Sequence, residues 1–94
     1  MSNTDDASAF EALLGQMIVL DTQGPLIYIG KLQQVTESAL VLVEADVHDS
    51  NDSRASKDLY LVETRDLGVR CNRSRVLVMR RQIASISLLA GVVD

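Results

Sequence analysis

The chain has 94 residues, of which 47% are hydrophobic, and its net charge at neutral pH is −4. We expect a single domain over residues 1–94, since this length supports one modest core, and no apolar run approaches the roughly 18 residues of a membrane-spanning helix. The lone cysteine, Cys71, excludes an internal disulfide framework. The acidic segment 1–6 lacks the apolar stretch of a signal peptide, so we expect a cytoplasmic protein that does not contact a membrane.

A short helix is predicted near the start of the chain. Ser8 and Glu11 have the spacing of a capping box, which predicts a helix over 9–14 after a flexible tail at 1–7. Gly15 follows as the expected left-handed stop.

The aliphatic residues occur in five short runs separated by glycine, proline and polar residues, a pattern typical of β-strands. Gly30 lies inside the second run, where a glycine indicates a bend or a bulge. We expect the hairpin of the second and third strands to organise the rest of the chain. The five predicted strands cover residues 16–21, 26–34, 39–46, 75–80 and 83–89.

A long insert, residues 47–74, separates the third and fourth predicted strands. Its first part, 47–55, is rich in Asp and Ser and predicts a solvent-exposed loop. Ser56 then has the character of a helix N-cap, which predicts a helix over 57–66. A strand over 59–64 is the competing interpretation, because Leu, Tyr, Val and Thr also favour strands.

Five strands with a very short corner between the last two imply an all-β fold, a small and strongly bent antiparallel barrel. In such barrels the last two strands lie at sheet edges, and edge strands rich in Val, Leu and Met aggregate unless they are paired. Pairing the fourth strand of one subunit with the fifth strand of the next would pair both edges. The pattern therefore predicts a ring of identical subunits.

Charge is distributed unevenly along the chain. Residues 1–52 contain nine acids and one base, whereas residues 53–94 contain eight bases and four acids. The segment 70–81 contains five arginines and no acid. The whole chain repels nucleic acid, but this segment predicts a local surface that attracts it. Arg70, Arg73 and Arg75 either extend that surface or belong to an ordinary solvated face.

Two blocks of the sequence resemble the Sm-like superfamily, which comprises the Sm, Lsm and bacterial Hfq proteins. The first block runs from Gly15 to Glu44 and contains an apolar strand, the turn residue Gly24, the triplet Gly30-Lys31-Leu32 and an aliphatic strand. The second block, residues 78–86, reads Val-Met-Arg-Arg-Gln-Ile-Ala-Ser-Ile. It is similar to the Hfq form of the second family motif, Val-Tyr-Lys-His-Ala-Ile-Ser-Thr-Val. The resemblance implies a five-stranded Sm-like (SH3-like) barrel with an N-terminal helix and a short helix inserted between strands 3 and 4.

The resemblance also implies a homo-oligomeric ring, usually of six or seven subunits, that binds single-stranded RNA around its pore. Two short segments would line that pore from opposite sides. The implied RNA-binding residues are Thr36, Glu37 and Ser38 in the connection after strand 2, and Met79, Arg80 and Arg81 after strand 4.

Several of these positions depart from the family pattern. Thr36 replaces an Asp, Ser38 replaces a side chain that stacks on a base, and Met79 replaces a Tyr. Stacking a base on an aromatic side chain contributes about 1–3 kcal/mol, and that contribution is missing. Arg80 matches the basic position, and the plane of an arginine also stacks on bases.

Two functions remain open at this stage. In the first, Arg80 and Arg81 hold phosphates at the pore. In the second, the ring is a scaffold that binds a protein through the insert and binds no RNA, and the two arginines bond carboxylates or carbonyls of a neighbouring subunit. Glu37 opposes RNA at the pore, or it pairs with one of these arginines.

A catalytic or metal-dependent function is not favoured. An acidic cluster with one imidazole lies where the third predicted strand meets the insert, but it lacks the ligand spacing and the glycine of an EF-hand loop. A solvated loop is the better interpretation, so we expect no metal and no cofactor. The chain also lacks a phosphate-binding glycine loop, and we expect that it is not an enzyme. The cluster consists of Asp46, His48, Asp49 and Asp52.

Overall fold

A computed structural model describes residues 9–51 and 56–94. Its five strands form one antiparallel sheet in the order β4-β3-β2-β1-β5. All five predicted strands are present, and their ends differ from the prediction by at most three residues. The strands are β1 (Met17–Thr22), β2 (Leu26–Val35), β3 (Ala39–Asp49), β4 (Arg73–Met79) and β5 (Ile83–Leu88).

The first part of the insert is not the loop that its polar residues predicted. β3 continues through Val47 and His48 to Asp49, and these residues pair with the start of β2. Because β2 begins at Leu26, directly after the turn, its first residues supply ladder partners that the local composition does not reveal. Residues 52–55 of the predicted loop lie outside the described residues.

The N-terminal helix ends three residues earlier than the predicted end at residue 14. Residues 9–11 are helical, and turns follow through Gly15, which has the expected positive φ of 81°. The Leu13 amide bonds the Phe10 carbonyl at 3.0 Å, a three-residue step that tightens and ends the helix. The capping residue Ser8 and the tail 1–7 lie outside the described residues.

The inserted helix, α1 (Lys57–Leu67), confirms the helix prediction, and the competing strand over 59–64 is wrong. Its two ends explain the outcome. The Ser56 side chain accepts a hydrogen bond from the Leu59 amide at 3.2 Å, as an N-cap does. The chain then ends the helix at Gly68, whose φ of 97° favours glycine and whose amide bonds the Thr64 carbonyl at 2.9 Å. No helix among the described residues is long and apolar enough to cross a membrane.

The sheet carries an apolar cluster on each face. Alternation along β1 divides its residues, so that Ile18 and Leu20 face one cluster and Val19 faces the other. Tyr60 and Leu61 of α1 pack on the second cluster, which means that the insert covers a face of the sheet that would otherwise be exposed. The first cluster is completed by Leu32, Leu40, Leu42, Ala45 and Val78, and the second by Ile27, Ile29 and Leu89.

The two longest strands bend where β2 crosses Gly30. The ladder with β3 is irregular there, because Ile29 pairs with Asp46 whereas Lys31 pairs with Val43. Two residues of β3 therefore oppose one glycine, and one of them, Glu44, has a φ of 51°. This arrangement is a β-bulge, which bends the bulged strand and increases its twist. The bend predicted at Gly30 is confirmed, and the extra residue of the bulge lies on β3.

β4 and β5 occupy the two edges of the sheet, as the sequence pattern predicted. Both edge strands carry large apolar side chains that reach solvent. Leu77 and Met79 of β4 are 48% and 38% exposed, and Leu88 of β5 is 39% exposed. Among residues 9–51 and 56–94, each of these strands has one neighbouring strand, so its other edge is free of strand pairing there.

We predict that Gly30→Ala destabilises the fold. A Cβ at this position would lie 3.0 Å from the Ala45 Cβ and 3.2 Å from the Leu42 Cβ, and such overpacking costs about 1–3 kcal/mol. Urea denaturation followed by circular dichroism measures the loss. Gly24→Ala is the matched control, because nothing lies within 4 Å of its added Cβ. Equal unfolding midpoints for the two variants would contradict the close approach.

Candidate functional site

The structure brings together the two segments that the sequence assigned to a common site. The turn at 36–38 meets the corner after β4, where the Arg80 amide bonds the Ser38 carbonyl at 2.9 Å. Met79 pairs with Ala39, the first residue of β3. We refer to residues 36–38 and 79–81 together as the turn–corner surface. All six predicted residues belong to it.

Thr36 holds the turn rigidly. Its Oγ1 accepts a hydrogen bond from the Ala39 amide at 2.9 Å and donates to the Ala39 carbonyl at 3.0 Å. The Thr36 amide bonds the same carbonyl at 2.9 Å. A Thr or Asp side chain at this position stabilises a tight turn by bonding the nearby backbone. Thr36 therefore orders the site through the backbone, and its hydroxyl is engaged.

Arg80 is half-buried and bonded within its own chain. Its Nη1 donates to the Thr36 carbonyl at 3.1 Å and lies 3.4 Å from the Glu37 carbonyl. The guanidinium carbon also lies 4.6 Å from the centroid of the Phe10 ring, which is a cation–π contact. Within this chain, the partners of the guanidinium are therefore backbone carbonyls of the turn at 36–38.

The exposed part of the turn–corner surface consists of Glu37, Ser38, Arg81 and part of Met79. The suggested pairing of Glu37 with Arg80 or Arg81 is absent among the described residues, whose ion pairs lie elsewhere. Arg81 is exposed beside the ordered turn and has no ion-pair partner among the described residues. A charged group in this setting attracts phosphate by an electrostatic interaction that falls with ionic strength.

The sequence did not identify Phe10 as a neighbour of this site. Phe10 belongs to the N-terminal turn, 70 positions from Arg80, yet both residues line one groove of about 520 Å³. Most of the remaining lining is apolar, and one polar residue, Ser85, also belongs to it. The apolar residues are Ala9, Leu13, Leu40, Ile83, Ala84 and Ile86. No local signal connects Phe10 with the corner, because their contact depends on how the N-terminal turn lies across the sheet.

A second concave region lies between the end of β3, α1 and residues 68–72, and we call it the helix cleft. Its volume is about 610 Å³. On its wall the Asp46 carboxylate, 8% exposed, accepts hydrogen bonds from the Tyr60 hydroxyl and, at 2.9 Å, from the Asn72 amide nitrogen. Asn72 also accepts from the Val47 amide at 3.0 Å. These bonds join β3, α1 and the segment before β4.

His48 stacks on Tyr60 in the same region. The ring centroids are 3.8 Å apart and the rings are inclined by 8°. Burial raises the pKa of the Tyr60 hydroxyl well above its usual range, and the hydrogen bond to Asp46 raises the pKa further. Tyr60 is therefore a neutral donor to Asp46 at all physiological pH values.

The acidic cluster and the arginines that precede or begin β4 are the remaining polar residues singled out by the sequence. Among residues 9–51 and 56–94, no group of three His, Cys, Asp or Glu side chains could hold a metal ion. Asp46 and His48 lie on β3 and face the helix cleft, and Asp52 lies outside the described residues. Arg70, Arg73 and Arg75 are exposed.

Comparison with known proteins gives structural matches but no sequence match. No protein-family model and no curated protein sequence matches the chain. Its structure is similar to the Sm protein of Pyrococcus abyssii in complex with a uridine heptamer, with a TM-score of 0.59 and 9% identity over 87% of this chain and 94% of that chain. The chain has an Sm-like fold. The resemblance predicted this fold, and the likeness confirms it.

Two further structures with an Sm-like arrangement are similar to the chain. A Sm-like archaeal protein from Pyrobaculum aerophilum has a TM-score of 0.56 and 21% identity, over 86% of this chain and 48% of that chain. A chain of the NatC complex bound to CoA has a TM-score of 0.56 and 18% identity, over 83% of this chain and 80% of that chain. The first is described as Sm-like, and the second belongs to a multi-protein complex.

We predict that Tyr60→Phe destabilises the Sm-like fold at neutral pH. The change removes one of the two donors to the buried Asp46 carboxylate, and an unsatisfied buried group costs about 1–3 kcal/mol. Chemical denaturation of the variant and of Tyr28→Phe, which keeps the Asp46 network intact, measures the difference.

The loss of stability caused by Tyr60→Phe should depend on pH. The pKa of Tyr60 is raised in the folded state, so its stabilising contribution is fully present below the pKa of an unfolded tyrosine, about 10, and is lost as the pH rises above that value. The difference in unfolding free energy between wild type and Tyr60→Phe should therefore narrow above about pH 10. A difference that widens there would contradict the assigned hydrogen bond.

Proposed function

We propose that this chain forms a homo-oligomeric Sm-like ring that binds single-stranded RNA at the turn–corner surface. The observation that carries the proposal is the junction of the two segments at Arg80, whose amide bonds Ser38 and whose guanidinium bonds Thr36. The likeness to a Sm protein in complex with a uridine heptamer supports RNA as the ligand. In this ring each subunit is one domain, residues 1–94, with an insert at 47–74.

The free edges of the sheet support assembly. In the described part of the chain, β4 and β5 each pair along one edge only, and their exposed Leu77, Met79 and Leu88 are costly to leave in water. Pairing β4 of one subunit with β5 of the next removes both edges and closes a ring. The resemblance to the family favours six or seven subunits.

In this ring, Arg80 and Arg81 have different tasks. Arg80 orders the turn through the Thr36 carbonyl and offers the plane of its guanidinium for stacking on a base. Arg81, which is exposed, supplies positive charge for phosphate. Repetition of this pair in every subunit compensates for the absence of an aromatic side chain at Ser38.

We predict that Arg81→Ala weakens binding to oligo-U and oligo-A and lowers its dependence on salt. Loss of one phosphate contact reduces the slope of log affinity against log salt concentration by about 0.7 for a single strand. Fluorescence anisotropy at two salt concentrations measures both effects. Arg70→Ala is the matched control, because Arg70 is also exposed but precedes β4, whereas Arg81 follows it.

Arg80→Ala should weaken binding more than Arg81→Ala, since it also releases the turn at Thr36 and Glu37. The absence of salt-dependent binding by the wild-type ring would refute the RNA function. Equal effects of the Arg70 and Arg81 variants would refute the assignment to the turn–corner surface.

We predict that Leu77→Asp breaks the ring into smaller species. A charge on the free edge strand β4 would be buried between subunits without a partner, which is strongly unfavourable. Multi-angle light scattering measures the mass of the particle. Leu59→Asp is the control, because Leu59 of α1 is 49% exposed, close to the 48% of Leu77, and lies away from the sheet edges. A wild-type protein with the mass of one chain would contradict the ring.

A second candidate function is that of a protein-binding scaffold that uses the insert. The likeness to a chain of the NatC complex favours it, since that chain belongs to an assembly of proteins. The insert also exposes two apolar side chains on α1, Leu59 and Leu67, the second of which is 82% exposed. Retention of the ring without salt-dependent RNA binding would favour the scaffold.

A further inference from the structure

Two kinds of contact hold the guanidinium of Arg80, and they act on different parts of the group. Both hydrogen bonds start at one nitrogen, since Nη1 donates to the Thr36 carbonyl at 3.1 Å and to the Glu37 carbonyl at 3.4 Å. The guanidinium carbon also lies over the Phe10 ring, 4.6 Å from its centroid. The hydrogen bonds therefore tether one corner of the group, and the ring supports its plane.

The Phe10 ring is itself fixed to the body of the fold. The Leu13 amide bonds the Phe10 carbonyl at 3.0 Å, and Leu13 packs on the first apolar cluster of the sheet. The Gly15 amide then bonds the Leu32 carbonyl of β2 at 2.8 Å, which joins the N-terminal turn to the sheet. Phe10 thus presents a fixed surface to Arg80, a long side chain that would otherwise sample many rotamers.

The aromatic residues of the chain are few, and one of them adjoins the turn–corner surface. The sequence has one Phe, two Tyr and no Trp. Tyr60 lines the helix cleft, and Tyr28 packs against the first apolar cluster. Ser38, where the family pattern has a side chain that stacks on a base, presents no ring. The aromatic ring beside this surface is therefore that of Phe10, and it lies behind Arg80.

We propose that Phe10 is a positioning residue for RNA binding: its ring holds the Arg80 guanidinium so that the second face of that group stacks on a base. A guanidinium plane has two faces, and the Phe10 ring occupies one of them. Arg80 is only half-buried, so a ligand can reach it. Ring, guanidinium and base then form one stack. The inference deepens the proposed RNA function and rests on it.

The test compares RNA with a strand that has no bases. Fluorescence anisotropy measures the binding of oligo-U, oligo-A and an abasic oligonucleotide of the same length to the full-length protein. Phe10→Leu keeps an apolar side chain but removes the ring. It should weaken binding to both RNAs about three- to tenfold, because Arg80 must then be ordered when the RNA binds. The affinity for the abasic strand and the salt dependence should stay unchanged, since no charge is lost.

Two variants control for changes in the N-terminal turn. Phe10→Tyr keeps the ring and should bind both RNAs as the wild type does. Leu14→Ala alters an exposed residue of the same turn that does not line the groove beside Arg80, and it should also bind as the wild type does. Light scattering checks that each variant has the particle mass of the wild type.

A double-mutant cycle separates action through Arg80 from direct contact between Phe10 and RNA. In protein that carries Arg80→Ala, Phe10→Leu should cause no further loss of affinity, because the guanidinium that the ring positions is gone. Low salt keeps the binding of this weaker variant measurable.

NMR of the wild type gives a check that needs no variant. Nuclear Overhauser contacts between the Phe10 ring and the Arg80 side chain should persist when oligo-U is bound.

Four outcomes would overturn the inference. They are unchanged RNA binding by Phe10→Leu, an equal loss of affinity for the abasic strand, a further loss in the Arg80→Ala background, and disappearance of the contact between the Phe10 ring and Arg80 in the RNA complex. Each of these leaves the proposed function standing, because the wild type still binds RNA. Absence of salt-dependent binding by the wild type would refute the RNA function itself, and this inference with it.

Discussion

The fold depends on the close approach of β2 and β3 at Gly30. An added Cβ there would meet the Ala45 Cβ at 3.0 Å, and the opposing strand accommodates an extra residue by placing Glu44 at a positive φ. The bulge bends the two longest strands of the sheet. Because they bend, a single sheet encloses one apolar cluster and still presents a second apolar face, which α1 covers. The arrangement of both candidate sites follows from that bend.

In the turn–corner surface, Arg80 links the corner after β4 to the turn at 36–38. Arg80 is held by the Thr36 carbonyl and the Phe10 ring, so its side chain is ordered before any ligand arrives. An ordered side chain loses less conformational entropy on binding than a free one. The same bonds use part of its donor capacity, whereas Arg81 is exposed and has no ion pair among the described residues.

The insert is part of the architecture of the fold. Lys57 at the start of α1 pairs with Asp21 of β1 at 2.8 Å, and Arg65 near its end donates to the Val92 carbonyl. These contacts hold the helix over the second apolar cluster. The helix cleft lies beside α1. The Asn72 side chain bonds the Val47 amide and carbonyl, where a further residue of β4 would otherwise pair, and residues 68–71 lie outside the sheet. A buried Asp46 is the consequence of that geometry.

The local sequence is sufficient for the elements and for the fold they form. Aliphatic runs between turn residues locate five strands, Ser56 and Gly68 explain why residues 57–67 are helical rather than extended, and Gly30 marks the bend. These features depend on neighbouring residues, through the period of burial, the caps and the backbone freedom of glycine. The order of the two motif blocks along the chain also indicates the Sm-like fold and the meeting of the two predicted segments.

The polar sites depend on tertiary structure. The composition of residues 47–49 indicates a loop, but pairing with the start of β2 overrides that tendency and places His48 in a strand. The partners of Asp46 are 14 and 26 positions away, and Arg80 bonds a carbonyl 44 positions away. Which polar side chains are buried together is therefore settled by the folded chain, because such contacts join distant positions and leave no periodic signal in the sequence.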